Sequence, residues 1–344
     1  MLNYNTVLLV VIIACPLINA RSLSRQCDAA CQKYLSVFGY TLTKGQPNFN
    51  IPSSLTEGLT SDTSSQALVN LQREAGIFES GLLDSETYAL MQTPRCGITF
   101  DQTRSHRSKR FVVVNKWTTG KTLQNETIVT WYIAPMTNIT LHTKMIEGTI
   151  ESIFANTLQK WANKSLIHFK RVKDAKHAAI SIHFVSGNHG DGYEFDGSGN
   201  VLAHAFYPAS DPQSQAGDVH FDADEQWDVW GYDNNISLFA VALHEFGHSL
   251  GLGHSSQKDS VMYAWYRSKH INLSEDDELG MSEIYGARSR FGPRNFPTKR
   301  DQATTPTPKW SGTSRRYRLS NIRNLKIVDS RVFIYPQKTP VVTF

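Results

Sequence analysis

The stretch HEFGHSLGLGH, His244 to His254, sets three histidines and a glutamate inside eleven residues, with glycines between them. The run around it, NISLFAVALHEFGHSLGLGH, has helical spacing. Started near Asn235, a favourable N-cap, such a helix turns Leu238, Val241, Ala242, Phe246 and Leu250 toward a core. His244 and His248 then stack four apart on one face and both reach one ion. Glu245 sits one residue round, beside the ion rather than on it. Gly251 ends the helix, because left-handed backbone costs glycine little. The chain turns back and His254 supplies a third nitrogen. Three protein ligands leave a fourth position for water, the arrangement of a catalytic zinc rather than a structural one. The competing reading is a helix with incidental histidines. It weakens with every added position of H-E-x-x-H-x-x-G-x-x-H, since each has a geometric task. Downstream, Met262 in SVMYAWY stands where a Met-turn floors such a site, a role compatible with ordinary core packing.

The chain around this stretch has 344 residues, 40% of them hydrophobic, and a net charge of +4. That length holds one sizeable domain plus smaller parts, and the mild charge does not point to nucleic acid. The apolar run VLLVVIIACPL, Val7 to Leu17, is too short to span a bilayer. It leads to INA, ending at Ala20, so residues 1–20 read as a signal peptide and the protein as secreted. A signal anchor is the alternative, because Lys and Arg are missing before the apolar run. Of four cysteines, Cys15 leaves with the signal peptide and Cys27 and Cys31 are spaced to pair in an oxidising compartment. Cys96 is left over. Sequons at Asn125, Asn138, Asn163, Asn235 and Asn272 agree with secretion.

Texture divides the remainder. Residues 21–110 read as a small helical region, with CQKYLSVFGY and SSQALVNLQREAGI both placing apolar residues three and four apart. The region ends in the basic linker RSHRSKRF. Residues 111–287 alternate strand-like runs (TIVTWYIA, AAISIHFV, VLAHAF) with two helical runs. The first of these carries Ile146, Ile150, Ile153, Phe154, Leu158 and Trp161 on one face. From Arg288 to Phe344 the chain turns Pro/Thr-rich and basic, with only Asp301 and Asp329 against many Arg and Lys. Such a tail reads as a solvated, disordered segment, with an electrostatic contact to anionic glycans or membrane as the minority reading.

Over most of residues 30–286 the sequence resembles the matrix metalloproteinases, the matrixin branch of the metzincins. Ser255 after the third histidine and LSEDDELGMSEIYG, Leu273 to Gly286, agree with that branch. The resemblance implies an α+β fold: a twisted, mostly parallel five-stranded sheet with three helices, preceded by a helical prodomain. It implies a second, structural zinc at His189, Asp191, His204 and His220, with a loop between the last two that is longer than usual. It implies calcium at Asp196, Gly197, Gly199, Val201, Asp222 and Glu225, a set of carboxylates and carbonyls suited to that cation. A second family calcium site retains Asp218 but has Ala179 where an aspartate is usual. With no cysteine after Cys96, bound metals are expected to supply much of this domain's stability.

PRCGITF, Pro94 to Phe100, matches the family's latency motif at Pro-Arg-Cys-Gly. Cys96 is then a fourth zinc ligand that excludes the reactive water; the bland readings are a buried thiol or an intermolecular disulfide. Ile98, Thr99 and Phe100 replace the usual Val-Pro-Asp, which removes the aspartate partner of Arg95, with Asp101 as a substitute. RSKR, with Arg107, Lys109 and Arg110, fits furin-like convertases, whose cut would start the mature chain at Phe111. The resemblance pairs that new amino group with Asp276 or Asp277.

The implied activity is zinc peptide hydrolysis with Glu245 as general base and acid. An extended protein substrate adds a strand beside NVLAHAF. Ala203, Ala240, Ala264 and Tyr266 stand at the substrate pocket, small Ala240 implying a deep one. Residues 288–344 are too few for the family's hemopexin-like propeller, so gelatin, basement-membrane or pericellular proteins are the expected substrates rather than intact triple-helical collagen. A monomer is expected. Two rivals remain: a metal-stabilised binding module that grips matrix without cutting it, and a permanently latent or membrane-held protease.

Overall fold

A computed structural model of the protein describes residues 27–41, 61–100, 112–136, 147–209, 215–232 and 235–288. Contacts divide the chain after Arg290, and all these residues lie in the first unit. The signal segment, RSKR, Phe111, Asp101 and the basic tail fall outside the described residues.

The N-terminal region is helical. α1 (Ala29–Val37) starts where the Asp28 carboxylate accepts from Cys31 N–H, and Cys27 and Cys31 are joined by a disulfide, Cα atoms 5.3 Å apart. α2 (Ser61–Glu74) follows, then α3 (Ser85–Met91), capped by Asp84. Leu35, Phe38, Tyr40, Leu68, Leu71, Ala75 and Met91 form a core that does not close on itself: Val201, Tyr263, Ala264 and Trp265, more than a hundred residues on, complete it. The small strand β1 (Arg95–Cys96) leaves this core for the main sheet.

β2 (Thr127–Ile133) alternates buried and half-buried residues along TIVTWYI, the period-2 pattern of a strand with one covered face. α4 (Glu147–Ala162), β3 (Ile167–Arg171), β4 (Ile180–Val185), β5 (Val201–Ala205) and β6 (Val219–Asp222) follow, then the two-stranded β7 (Trp227–Asp228) and β8 (Ile236–Ser237), α5 (Leu238–Ser249) and α6 (Glu275–Tyr285). The main sheet runs β1-β5-β6-β4-β2-β3, parallel except for the β5–β6 pair. Five of its six strands follow residue 111, as the resemblance implies. The sixth is β1, added beside β5.

α4 and α5 pack on one face of this sheet. Phe154 of α4 stacks on Phe221 of β6, centroids 5.4 Å apart, and meets Phe246 of α5 edge-on at 5.7 Å. Trp161 donates its indole N–H to the Leu243 carbonyl at 3.0 Å, fixing one helix against the other. Ile150, Ile153, Leu158 and Trp161 are buried, on the face the spacing indicated. Each contributes on the order of 1.5–3 kcal/mol by burial.

α5 begins later than Asn235. Ser237 caps it, its Oγ accepting from Ala240 N–H at 3.2 Å. Both residues are good caps. Pairing of Ile236 and Ser237 with Trp227 and Asp228 holds Asn235 outside the helix. Asn235 is 9% exposed in the folded chain.

Candidate active site and metal centres

The helical spacing of α5 places His244 and His248 as expected, Nε2 atoms 3.0 Å apart. Gly251 adopts φ +106° and turns the chain. No side chain fits there: a β-carbon on Gly251 would lie 1.9 Å from the Asn115 carbonyl oxygen. The turn returns His254 to the first two histidines, its ring 4.8 Å from that of His248. Donor atoms of Cys96, His244, His248 and His254 all lie within 4.8 Å of one another.

Their environment favours metal ligation. His244 Nδ1 donates to the Val261 carbonyl at 2.6 Å, His248 Nδ1 to the Leu252 carbonyl at 2.7 Å, and His254 Nδ1 to Glu74 Oε1 at 2.7 Å. A proton held on each Nδ1 leaves the Nε2 lone pair facing inward. Burial, then the neighbouring histidines, pushes His244 down to about 3 and His248 well below the usual range, so both rings stay neutral. His254 Nε2 is buried without a hydrogen-bond partner. Three imidazoles and a thiol are a zinc donor set. The residues fit the ion.

Glu245 points at the same centre. Its Oε2 lies 3.6 Å from Cys96 Sγ, and its Oε1 is buried without a partner. Burial raises the carboxyl to about 8, against which the Cys96 contact acts only weakly. Burial, then the charge of Glu245, pushes the thiol up as well; a cation among the histidines reverses that preference.

The strand carrying Cys96 sits in a cleft bonded on both sides. Arg95 N–H donates to the Asn200 carbonyl and Gly97 N–H to that of Ala203, while Cys96 N–H donates to Ala264 and Tyr266 N–H to Pro94. Gly97 is required by this approach, since a β-carbon there would fall 2.8 Å from Val201 Cγ1. Arg95 has no exposure. Its guanidinium lies between the rings of Phe38, 4.1 Å away, and Trp265, 4.8 Å away. Among the described residues its ionic partner is Glu74 of α2, Nη2 to Oε2 3.7 Å. Phe100, where the aspartate would be, packs on the Tyr40 ring instead.

A second convergence is oxygen-centred. Asp191 Oδ2 lies 2.7 Å from His189 Nε2 and 2.8 Å from both His204 Nε2 and His220 Nδ1. Hydrogen bonds from His204 and His220 outweigh burial and hold Asp191 far below the usual carboxylate range. Three nitrogens around one carboxylate suit a closed structural zinc.

Asp196, Asp222 and Glu225 are brought together by the glycine-rich loop before β5, where Gly197 and Gly199 both have positive φ. Glu225 accepts from Gly199 N–H, and Asp196 from Val201 N–H at 3.3 Å. Burial, then mutual repulsion, raises Asp222 to about 6 and Glu225 to about 7, and Asp222 Oδ2 is buried unpartnered. Clustered carboxylates that resist ionisation are what a calcium ion would relieve. Asp218 lies near His183 and His220, their donor atoms within 4.8 Å of one another.

Ala240, Ala264 and Tyr266 line one pocket with Cys96, His244, Glu245, Trp265 and Arg267. Ala203 does not line it; it is buried in β5, its carbonyl accepting from Gly97 N–H at 2.8 Å. Met262 is buried under α5, its N–H bonded to Ser260 and Asp277.

Comparison with known proteins agrees with this geometry. Residues 122–286 match the matrixin peptidase family. A probable matrix metalloproteinase of Invertebrate iridescent virus 3 is 34% identical over 306 residues, covering 80% of this chain and 81% of the viral one. The chain belongs to the matrixins. Human matrilysin is 37% identical over 225 residues, 64% of this chain and 76% of matrilysin. Matrix metalloproteinase-2 of Drosophila melanogaster is 36% identical over 68% of this chain, which spans only 31% of that longer protein. Matrixins are zinc-dependent metalloendopeptidases, and this chain is one of that type. A non-cutting binding module has nothing in its favour, because Glu245 and all three histidines are in place. No helix among the described residues is long and apolar enough to cross a membrane.

Sequence reasoning missed two residues. Glu74 carries no motif. Gly247 hides inside one, at a position that the H-E-x-x-H pattern leaves open.

Proposed function

We propose that the protein is made as a secreted, latent zymogen and, once its propeptide is cut away, hydrolyses extended segments of extracellular matrix or pericellular proteins. His244, His248 and His254 hold the catalytic zinc, and Cys96 is its fourth ligand in the latent form. His189, Asp191, His204 and His220 hold a structural zinc, and the Asp196–Asp222–Glu225 loop holds calcium. The observation that carries the reading is the Cys96 thiol lying among three histidine nitrogens and 3.6 Å from Glu245.

Cleavage after Arg110 releases the strand that blocks the cleft. The Ala203 and Ala264 carbonyls then become free to accept main-chain N–H groups of a substrate laid in the same place. Zinc, when bound, polarises the scissile carbonyl and acidifies water. Glu245 takes the proton of the attacking water and passes it to the leaving amine. The released amino group of Phe111 pairs with Asp276. Asp277 is the less suited of the two, because its carboxylate already accepts from Ser260, Val261 and Ser274.

The test is cleavage of a quenched collagen-like peptide by the full chain before and after treatment with a furin-like convertase. Activity should appear only after cleavage at Arg110 and vanish with a zinc chelator. A cleaved, folded, zinc-loaded chain that stays silent would overturn the reading.

A further inference from the structure

Glu74 joins two parts of the site that are otherwise separate. It ends α2, in the propeptide core, and is buried. Its Oε2 accepts the Tyr40 hydroxyl and faces Arg95 Nη2 at 3.7 Å. Tyr40 in turn accepts from Arg95 Nη1 at 2.6 Å. Glu74 Oε1 lies 2.7 Å from His254 Nδ1. The other two histidines of the cluster are oriented by carbonyls of the catalytic region itself, Val261 and Leu252. Only His254 takes its outer hydrogen bond from a residue that precedes the RSKR site.

We propose that Glu74 is a positioning residue of the latent site: one carboxylate fixes Arg95, and with it the strand bearing Cys96, and also orients the His254 ring. This rests on the reading of the three histidines as zinc ligands. A carboxylate on the far nitrogen of a histidine makes the near nitrogen a stronger donor and fixes the ring's direction. The propeptide therefore grips the metal centre twice, directly through the thiol and indirectly through His254. Its departure removes both holds, and His254 exchanges a buried carboxylate for solvent. The same carboxylate replaces the aspartate lost at Phe100, which explains how Arg95 stays paired without it. The arrangement makes His254 the ligand whose donor strength changes on activation, while His244 and His248 keep their partners.

The experiment uses the full zymogen, loaded with zinc or with cobalt(II) alone at the catalytic site. Glu74→Ala should release zinc to a chelator on the order of tenfold faster than wild type, and shift the visible absorption of the cobalt form. Glu74→Gln keeps an acceptor for His254 and should recover most of both readouts. Tyr40→Phe disturbs the same Arg95 cage while keeping the Glu74–His254 contact, and should shift the cobalt spectrum less than Glu74→Ala does. Release rates within twofold and an unaltered spectrum in folded Glu74→Ala would overturn the proposal, as would a Tyr40→Phe spectrum shifted equally. Should Glu74→Ala not fold, nitrogen-15 resonances of histidine in the wild-type zinc form decide the matter. Removal of the propeptide should move the His254 Nδ1 signal further than those of His244 and His248, which lose only the shared thiolate; three signals that move alike, or not at all, reject the role. A wild-type zymogen that takes up no zinc at the three histidines sinks the metalloprotease reading itself, a distinct result.

Discussion

Gly247 lies against Met262: a β-carbon on Gly247 would stand 2.2 Å from Met262 Sδ and 3.1 Å from the Trp161 ring. The glycine between the two histidines of α5 therefore lets the Met262 turn rise under the site. Gly247→Ala gains roughly 1 kcal/mol of helix propensity, but overpacking of this kind costs about 1–3 kcal/mol. Net destabilisation is expected, with a lowered melting temperature. Met262→Ala added to it should relieve the clash, so the double variant should lose less than the two single losses combined. Strict additivity in thermal unfolding would show that the two residues do not compete for the space.

Glu245 and the histidines can be separated experimentally. Glu245→Gln keeps the shape of the side chain and removes its proton acceptor. The activated variant should bind the same number of zinc ions as wild type and lose on the order of 10²–10⁴-fold in kcat. Loss of zinc along with activity would mean that Glu245 supports the metal rather than the proton transfer.

Much of this was legible locally and some was not. The His244–His248 face follows from four-residue spacing within one helix, and the His254 turn from a glycine whose φ is positive. The Cys27–Cys31 bond follows from four-residue spacing as well. Glu74 could not be read in this way. It meets His254 across 180 residues of chain, and no periodicity within α2 encodes a partner supplied by tertiary packing. The start of α5 failed for a related reason: Asn235 and Ser237 are comparable caps, and strand pairing with Trp227 and Asp228 decides between them. The sixth strand of the sheet is likewise a tertiary fact, since two residues such as Arg95 and Cys96 carry no strand pattern.

The pocket beside Glu245 is shaped by Ala240, the residue that leaves room between α5 and the Ala264–Tyr266 segment. Ala240→Leu fills that room. In the activated protein it should cut kcat/KM for substrates with large side chains after the scissile bond by about 10–200-fold relative to small ones. Competing quenched peptides that differ only at that position measure the ratio. An unchanged ratio would place the specificity pocket elsewhere.

The Asp196–Asp222–Glu225 loop offers the most direct test of a stabilising cation. Bringing buried Asp222 and Glu225 together beside exposed Asp196 without a cation opposes folding through desolvation and repulsion, the two effects that raise Asp222 and Glu225. An ion that binds the folded loop and not the unfolded chain reverses that cost. At a concentration a hundredfold above its dissociation constant it adds about 2.7 kcal/mol, worth roughly 5–10 °C in melting temperature for a domain of this size. Calcium should therefore raise the melting temperature of the zinc-loaded protein, magnesium at the same concentration should not, and Asp222→Asn with Glu225→Gln should abolish the calcium response. The doubly substituted protein should also melt higher than wild type when calcium is withheld, because the repulsion leaves with the charges. A calcium response that survives both substitutions would move the ion to another part of the chain.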